Sequence, residues 1–211
     1  MFKNKLKKLV ATTAAALVVA SSALPFSASA QSVFSDVPTN HPHYEAIEFL
    51  TDVEIITGYE DGTFKPNNHI TRGQTAKMIS RFYYVDEEPS MQVFKDLPVT
   101  YSDKELVVAA NLMHEMSVMT GANGYFMPFK NITRQQMAKV LVEEFGLDYV
   151  EGAQTNIKDL DKAFPEFQDY IEILAQNEVT VVSEFKPTEP VSRAQFASFV
   201  YRALLAQDFE N

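Results

Sequence analysis

A block of about 60 residues recurs three times along this chain, and this repetition limits the folds that the chain can adopt. Each copy contains the pattern apolar, Ser or Thr, Arg, any residue, Gln. The three occurrences are Ile70-Thr71-Arg72-Gly73-Gln74, Ile132-Thr133-Arg134-Gln135-Gln136 and Val191-Ser192-Arg193-Ala194-Gln195. A Phe-x-Pro tripeptide precedes each one, with its proline five residues before the Ser or Thr. A fixed period with fixed internal offsets predicts an array of supersecondary units.

The repeated pentapeptide predicts a helix start with an unusual cation. A Ser or Thr followed three residues later by Gln is a capping box. The predicted caps are Thr71, Thr133 and Ser192, with their partners Gln74, Gln136 and Gln195. Arginine then occupies the first helical position, although a helix N-terminus already carries about +0.5 charge.

Three unfavourable arginines indicate a purpose other than helix stability. A cation beside unpaired helix N–H groups is typical of an anion receptor. The sequence therefore predicts three anion sites, at Arg72, Arg134 and Arg193. The alternative is that each arginine pairs with acidic residues of the next copy.

Further segments in each copy identify a family resemblance. Phe34-Ser35-Asp36-Val37-Pro38 begins the first copy, and Ile55 to Pro66 follows with a Gly-Tyr-Glu-Asp-Gly turn. Together with Ile70-Thr71-Arg72, these segments resemble the S-layer homology family, and the resemblance covers about residues 34–206. It implies a pseudo-threefold bundle with grooves between neighbouring lobes. It also implies a secreted cell-wall-binding module that attaches to an anionic, often pyruvylated, secondary cell wall polysaccharide of a Gram-positive bacterium.

Hydrophobic spacing predicts an all-α, mainly helical fold. Ile47, Leu50 and Val53 lie at threefold spacing in the first copy, and Ala138, Leu141, Val142 and Phe145 form the stripe of a later helix. One helix pair cannot bury its apolar face alone, whereas three pairs can share a central helix bundle. The predicted copies are residues 31–88, 89–152 and 153–211, called here the first, second and third copy. Their short linkers predict one rigid unit, with no further domain after the third copy.

The N-terminus predicts export. Four lysines precede an apolar stretch of 12 residues, Leu9 to Ala20, which is too short to span a bilayer as a helix. Ala28-Ser29-Ala30 has the pattern of a cleavage site, so residues 1–30 are a predicted signal peptide and the secreted chain is expected to begin at Gln31. An uncleaved membrane anchor is the alternative. Cysteine is absent, which excludes a lipoprotein anchor and disulfides.

The charge balance excludes one class of partner. The whole chain has a formal net charge of −10, and removing the signal segment leaves 14 basic against 28 acidic side chains, or −14. So acidic a chain has no general basic field for nucleic acid. An anionic wall polymer must then be attracted locally, through an arginine in a groove.

The copies differ in the turn before the Phe-x-Pro segment. The first copy has Gly58, Tyr59, Asp61 and Gly62, the second keeps Gly121 and Gly124, and the third has no glycine there. We expect the strongest site where Arg72 and the Gly58–Gly62 turn occur together, and the weakest at Arg193. The chain has no Trp, so a sugar-stacking platform requires Tyr44 or Tyr59.

No pattern of catalytic, cofactor-binding or metal-binding residues is found. Gly-x-Ser-x-Gly, phosphate-loop and His-Glu-x-x-His motifs are absent. His41 and His43 are predicted to be exposed loop residues, and Asp36, Asp96 and Asp159 to cap helices or stabilise turns. The sequence therefore predicts a non-enzymatic binding module without cofactor or metal, which lies at the cell surface and is not membrane-bound after cleavage. The alternative function is a helical-repeat adaptor that binds another surface protein, with its glycan grooves decayed.

Overall fold

The computed structural model describes residues 32–83 and 88–208, and within these ranges the chain is helical and has no strand. This confirms the predicted all-α class. The predicted signal peptide lies outside the described residues, as do Asp86 and Glu87 of the first linker. The described α-helices are α1 (Tyr44–Asp52), α2 (Arg72–Ser80), α3 (Lys104–Glu115), α4 (Arg134–Phe145), α5 (Pro165–Gln176) and α6 (Arg193–Asp208). Short 3-10 helices lie at Arg81–Tyr83 and Leu160–Lys162.

The second helix of each copy is more deeply buried than the first. α1 buries only one stripe, formed by Ala46, Ile47 and Leu50. α4 buries residues around most of its circumference, including Gln135 and Glu144. A helix buried on several sides belongs in a core, whereas a helix with one apolar stripe covers its surface. None of the helices in the described ranges combines the length and apolar character needed to cross a bilayer.

Helices pack mainly between copies. The extensive contacts join α2 to α3, α4 to α5, and α6 back to α1. The sequence groups α1 with α2, but the structure places the second helix of each copy against the first helix of the next. The last copy packs on the first, so the array closes on itself.

A ring of three backbone hydrogen bonds lies where the copies meet. The N–H of Ile70 donates to the carbonyl of Val191, at 3.0 Å. The N–H of Val191 donates to Ile132 at 3.0 Å, and that of Ile132 donates to Ile70 at 3.1 Å. All three side chains are fully buried. The ring gives the chain its pseudo-threefold centre.

The repeated aspartates hold the turn that precedes each ring segment. The two carboxylate oxygens of Asp36 accept from the N–H groups of Phe64 and Lys65, at 2.7 and 2.8 Å. Asp96 and Asp159 make the same pair of contacts in the other copies. Lys65 has a φ of +58°, a left-handed conformation that few non-glycine residues adopt. The interpretation of these aspartates as turn residues is therefore confirmed.

Candidate functional site

Each repeated arginine extends into the following copy. Its Nε donates to the backbone carbonyl of the Phe in that copy's Phe-x-Pro segment, and its guanidinium lies 4.5–5.1 Å from the centre of that ring. The pairs are Arg72 with Phe126, Arg134 with Phe185, and Arg193 with Phe64. The Arg72 and Arg193 bonds are both 2.8 Å long. The arginines therefore connect neighbouring copies.

These guanidinium groups are buried without a carboxylate partner. Arg72, Arg134 and Arg193 are 9%, 8% and 7% exposed, and none forms an ion pair with another described residue. Burial lowers the pKa of all three, and nearby carboxylates, such as that of Asp96 beside Arg72, partly oppose this. Arginine remains charged in proteins even so. The alternative that each arginine pairs with acidic residues of the next copy is therefore wrong about the partner, because the arginines contact the next copy through backbone carbonyl oxygens.

The first two N–H groups of α2, α4 and α6 are hydrogen-bonded within the protein. The N–H of Arg72 donates to Lys130 O and that of Gly73 to Pro128 O, both at 2.9 Å. The corresponding groups of α4 and α6 donate to carbonyls of the third and first copies in the same way. Because these donors are satisfied within the protein, the predicted anion receptor built from helix N–H groups is wrong.

The cap residues serve the helix starts. The Thr71 hydroxyl accepts from Gln74 N at 3.2 Å, and Gln74 Oε1 accepts from Thr71 N at 3.0 Å. Ser192 and Gln195 make the same reciprocal pair. In the second copy, Gln136 Oε1 accepts from Thr133 N at 3.2 Å. The predicted cap bond of the Thr133 hydroxyl is not formed, since that oxygen is buried without a hydrogen-bond partner among the described residues.

A groove of about 420 Å³ lies between the first and second copies. We call it the Arg193 groove, because that residue of the third copy reaches it. One wall is the first copy's turn and α2, and the other is the start of α3 with the Pro128-Phe129 segment. The lining residues are Thr57, Gly58, Tyr59, Thr71, Gly73, Gln74, Lys77, Met78, Arg81, Asp103, Leu106, Pro128, Phe129 and Arg193.

Arg193, and not Arg72, accompanies the glycine turn of the first copy. Its Nη2 donates to Thr57 O at 2.8 Å, and its guanidinium lies 5.0 Å from the centre of the Tyr59 ring. Arg72 contacts the second copy instead. The expectation that Arg72 and the Gly58–Gly62 turn form one site is therefore wrong, because each arginine contacts the turn of the following copy and not that of its own. The expectation that the weakest site lies at Arg193 has no support for the same reason, because Arg193 does not contact the glycine-free turn of its own copy.

Ion pairs lie at the Arg193 groove, where Lys77, Arg81 and Asp103 are lining residues. Lys77 on α2 lies 3.1 Å from Asp103 and 2.6 Å from Glu105, and Arg81 lies 3.4 Å from Glu105. These pairs connect the helices that form the two walls. They are partly exposed, so each contributes little to stability.

The remaining predicted turn residues lie outside the Arg193 groove. Asp61 accepts from the N–H and hydroxyl of Thr63, and Gly62 accepts from Ser35 N. Gly121 and Gly124 belong to the second copy's turn, where both have positive φ. Tyr59 lines the groove, whereas the Tyr44 hydroxyl is bonded to Glu48.

Sequence reasoning missed Phe129, which lines the same groove and is 75% exposed. The prediction that the two histidines lie in a loop is correct, but their predicted exposure is wrong. His41 and His43 are partly buried, and His43 Nδ1 lies 2.6 Å from the Ser198 hydroxyl on α6. Burial lowers the pKa of His43. No cluster of three or more His, Cys, Asp or Glu residues in the described part of the chain could hold a metal ion.

Comparison with known proteins places this arrangement in a family. The sequence model of the S-layer homology domain matches residues 33–76 and 156–197, within the first and third copies. The chain is 31% identical to S-layer protein EA1 of Bacillus anthracis over 93% of its length, which is 23% of that protein. It is 29% identical to an S-layer protein of Bacillus thuringiensis subsp. finitimus, with 93% and 24% covered. It is 30% identical to a cellulosome-anchoring protein of Acetivibrio thermocellus, with 80% and 38% covered.

The chain thus spans about a quarter of these two S-layer proteins. The second copy, which the family model does not match, has the same helix start, ring hydrogen bond and arginine contact as its neighbours. With two matched regions and relatives that align along most of the chain, this protein belongs to the S-layer homology domain family.

Proposed function

We propose that this chain is a non-catalytic module that attaches to an anionic secondary polysaccharide of the bacterial cell wall, with the Arg193 groove as its principal site. The observation that carries the proposal is a buried guanidinium that lines an open groove and has no carboxylate partner among the described residues. Because Nε and Nη2 are held by Phe64 O and Thr57 O, the group is fixed in position before a ligand arrives. Preorganisation of this kind reduces the entropy lost on binding.

The chemistry of the groove favours an acidic sugar. Guanidinium binds a carboxylate through planar, charge-assisted hydrogen bonds. Lys77 and Arg81 also line the groove, but both are paired with carboxylates, so Arg193 is the cation that a ligand carboxylate would meet. The Tyr59 ring gives an apolar surface beside the Arg193 guanidinium. The pyruvylated polysaccharides that the family resemblance implies would provide such a carboxylate. Arg72 and Arg134 are proposed to contact the same polymer in the two other inter-copy positions, with weaker contributions.

The relatives support a location at the cell surface. Two are named S-layer proteins and one is named a cellulosome-anchoring protein. We therefore propose that the secreted chain attaches to the polysaccharide of the cell wall and catalyses no reaction there.

The test is binding of purified residues 31–211 to isolated walls of Bacillus licheniformis and Lysinibacillus sphaericus, two species with related S-layer proteins. We expect binding to at least one, lost after acid extraction removes secondary polymers. Arg193→Gln should weaken binding by about tenfold to over a hundredfold, from about 1.5–3 kcal/mol for a charge-assisted contact. Arg193→Lys should also bind poorly, because an ammonium group lacks the planar fork.

Two matched variants separate binding from folding. Arg72→Gln removes the same inter-copy contact from a residue that does not line the groove, so it should destabilise similarly but weaken wall binding less. Arg202→Gln removes an exposed arginine of α6 and should change neither property. Equal binding to walls stripped of acidic polymer, or equal losses for Arg72→Gln and Arg193→Gln, would contradict the proposal.

A further inference from the structure

Phe129 is a large apolar side chain in an unfavourable place. At 75% exposed, it is the most exposed large hydrophobic residue in the described part of the chain. It follows Pro128 at the edge of the Arg193 groove. The corresponding residues are Asn67 in the first copy and Thr188 in the third. The position therefore tolerates polar residues, and the fold does not require phenylalanine.

A second aromatic ring lies in the same groove. Tyr59 is 38% exposed, and two cations hold its ring: Lys65 Nζ is 4.0 Å from the ring centre, and the Arg193 guanidinium is 5.0 Å away. Such cation–π contacts restrict the ring before a ligand binds. The groove thus combines one fixed aromatic ring and one exposed ring, from neighbouring copies, with a preorganised cation.

This combination matches a ring-shaped ligand that has an apolar face and a negative charge. The C–H groups on one face of a pyranose are positively polarised, and they are attracted to the electron-rich face of an aromatic ring. A phosphate polymer built on an acyclic polyol has the charge but no such face. Resting on the function proposed above, we propose that Phe129 is a specificity-determining residue. It packs against the face of a pyranose whose acidic substituent is bound by Arg193.

The absence of tryptophan gives a direct probe of this contact. Phe129→Trp introduces the only tryptophan of the chain, at the groove edge. Titration with acid-released polysaccharide from Lysinibacillus sphaericus and Bacillus licheniformis walls should change its emission. The same titration of Phe129→Trp combined with Arg193→Gln should leave the emission unchanged.

Affinity gives an independent readout. Phe129→Asn installs the first copy's own residue and should weaken binding of this polysaccharide by about three- to tenfold, the range for one aromatic contact. Its unfolding midpoint should match wild type, because the side chain is mostly exposed. Met91→Asn, which removes a 66% exposed side chain outside the groove, is the control and should bind normally. Poly(glycerol phosphate) should bind more weakly than the polysaccharide and with no difference between wild type and Phe129→Asn.

The outcomes distinguish the two proposals. If wild type binds and Phe129→Asn binds equally well, the wall-binding function stands and the role of Phe129 is refuted. An unchanged Trp emission on saturation refutes it as well, and equal affinity for poly(glycerol phosphate) refutes the pyranose class. If wild type does not bind either polysaccharide, both proposals fall.

Discussion

At the scale of single residues, Gly58 shows how the copies adapt to one another. A Cβ at this position would lie 2.1 Å from Phe34 Cε1 and 2.9 Å from Thr63 O. Its φ is not in the left-handed region, so glycine is required here for space and not for backbone conformation. In the third copy, Val182 stands at the position of Gly58 and Ile157 at that of Phe34. In that copy, the smaller Ile157 therefore occurs together with the larger Val182.

Gly58→Ala should therefore lower the free energy of unfolding by about 1–3 kcal/mol, as overpacked positions do. Adding Phe34→Ile should restore part of this loss, because the clashing ring carbon is then absent. Urea unfolding of both single variants and the double variant forms the double-mutant cycle. A coupling below about 0.5 kcal/mol would show that the two sites act independently.

The residues of the candidate site could be predicted where all three copies have the same residue type. The contacts that these residues make could not be predicted. Repetition singled out Arg72, Arg134 and Arg193, but their acceptors are backbone carbonyls of another copy, which no side-chain pattern encodes. Phe129 could have been found, because the corresponding residues of the two other copies, Asn67 and Thr188, are polar.

At the scale of elements, the first helix of each copy ends in a left-handed residue that is not glycine. Glu54, Ser117 and Glu178 have φ values of +61°, +62° and +57°. After α5, Glu178 N donates to Ala175 O and Val179 N donates to Leu174 O, the two bonds of a Schellman motif. A left-handed residue with a Cβ costs about 1–2 kcal/mol. Helical spacing predicted these helices but could not show this strained ending, because glycine, its usual signal, is absent.

Glu178→Gly should stabilise the protein by about 0.5–1 kcal/mol, since relief of this strain exceeds the added freedom of the unfolded chain. The thermal midpoint should rise by about 1–4 °C. Glu172→Gly, inside α5, should instead destabilise by about 1 kcal/mol. Scanning calorimetry of the two variants compares them directly, and a lower midpoint for Glu178→Gly would show that its carboxylate matters more than its backbone.

At the scale of the whole molecule, the net charge and the proposed ligand have the same sign. Without the predicted signal peptide the charge is −14, so the long-range field repels an anionic polymer. In the proposed function, favourable contact is confined to a buried guanidinium in a groove. Composition alone predicts this conflict. It does not show which groove holds the guanidinium, because Arg193 belongs to the third copy and the groove lies between the first and the second.

Binding should consequently depend little on salt. Salt screens the long-range repulsion, with a Debye length near 10 Å at 0.1 M, and screens a buried contact less. Between about 0.05 and 0.5 M NaCl, we expect the Kd of wild type for the acidic polysaccharide to change by less than about threefold. Sedimentation with isolated walls over this range measures it. A loss of several orders of magnitude would indicate a polymer that follows exposed surface cations.

The backbone ring at Ile70, Ile132 and Val191 also limits how many copies such a chain can contain. Each segment gives one N–H and one C=O to the ring, so the circle is complete and has no free end. An open solenoid can be lengthened by duplicating one unit, since every end accepts another. Here an inserted fourth unit would find no vacant donor or acceptor and would have to break a bond already made. A chain of this kind is thus expected to gain copies in complete sets of three, and the loss of one copy would leave one N–H and one C=O of the ring without their present partners.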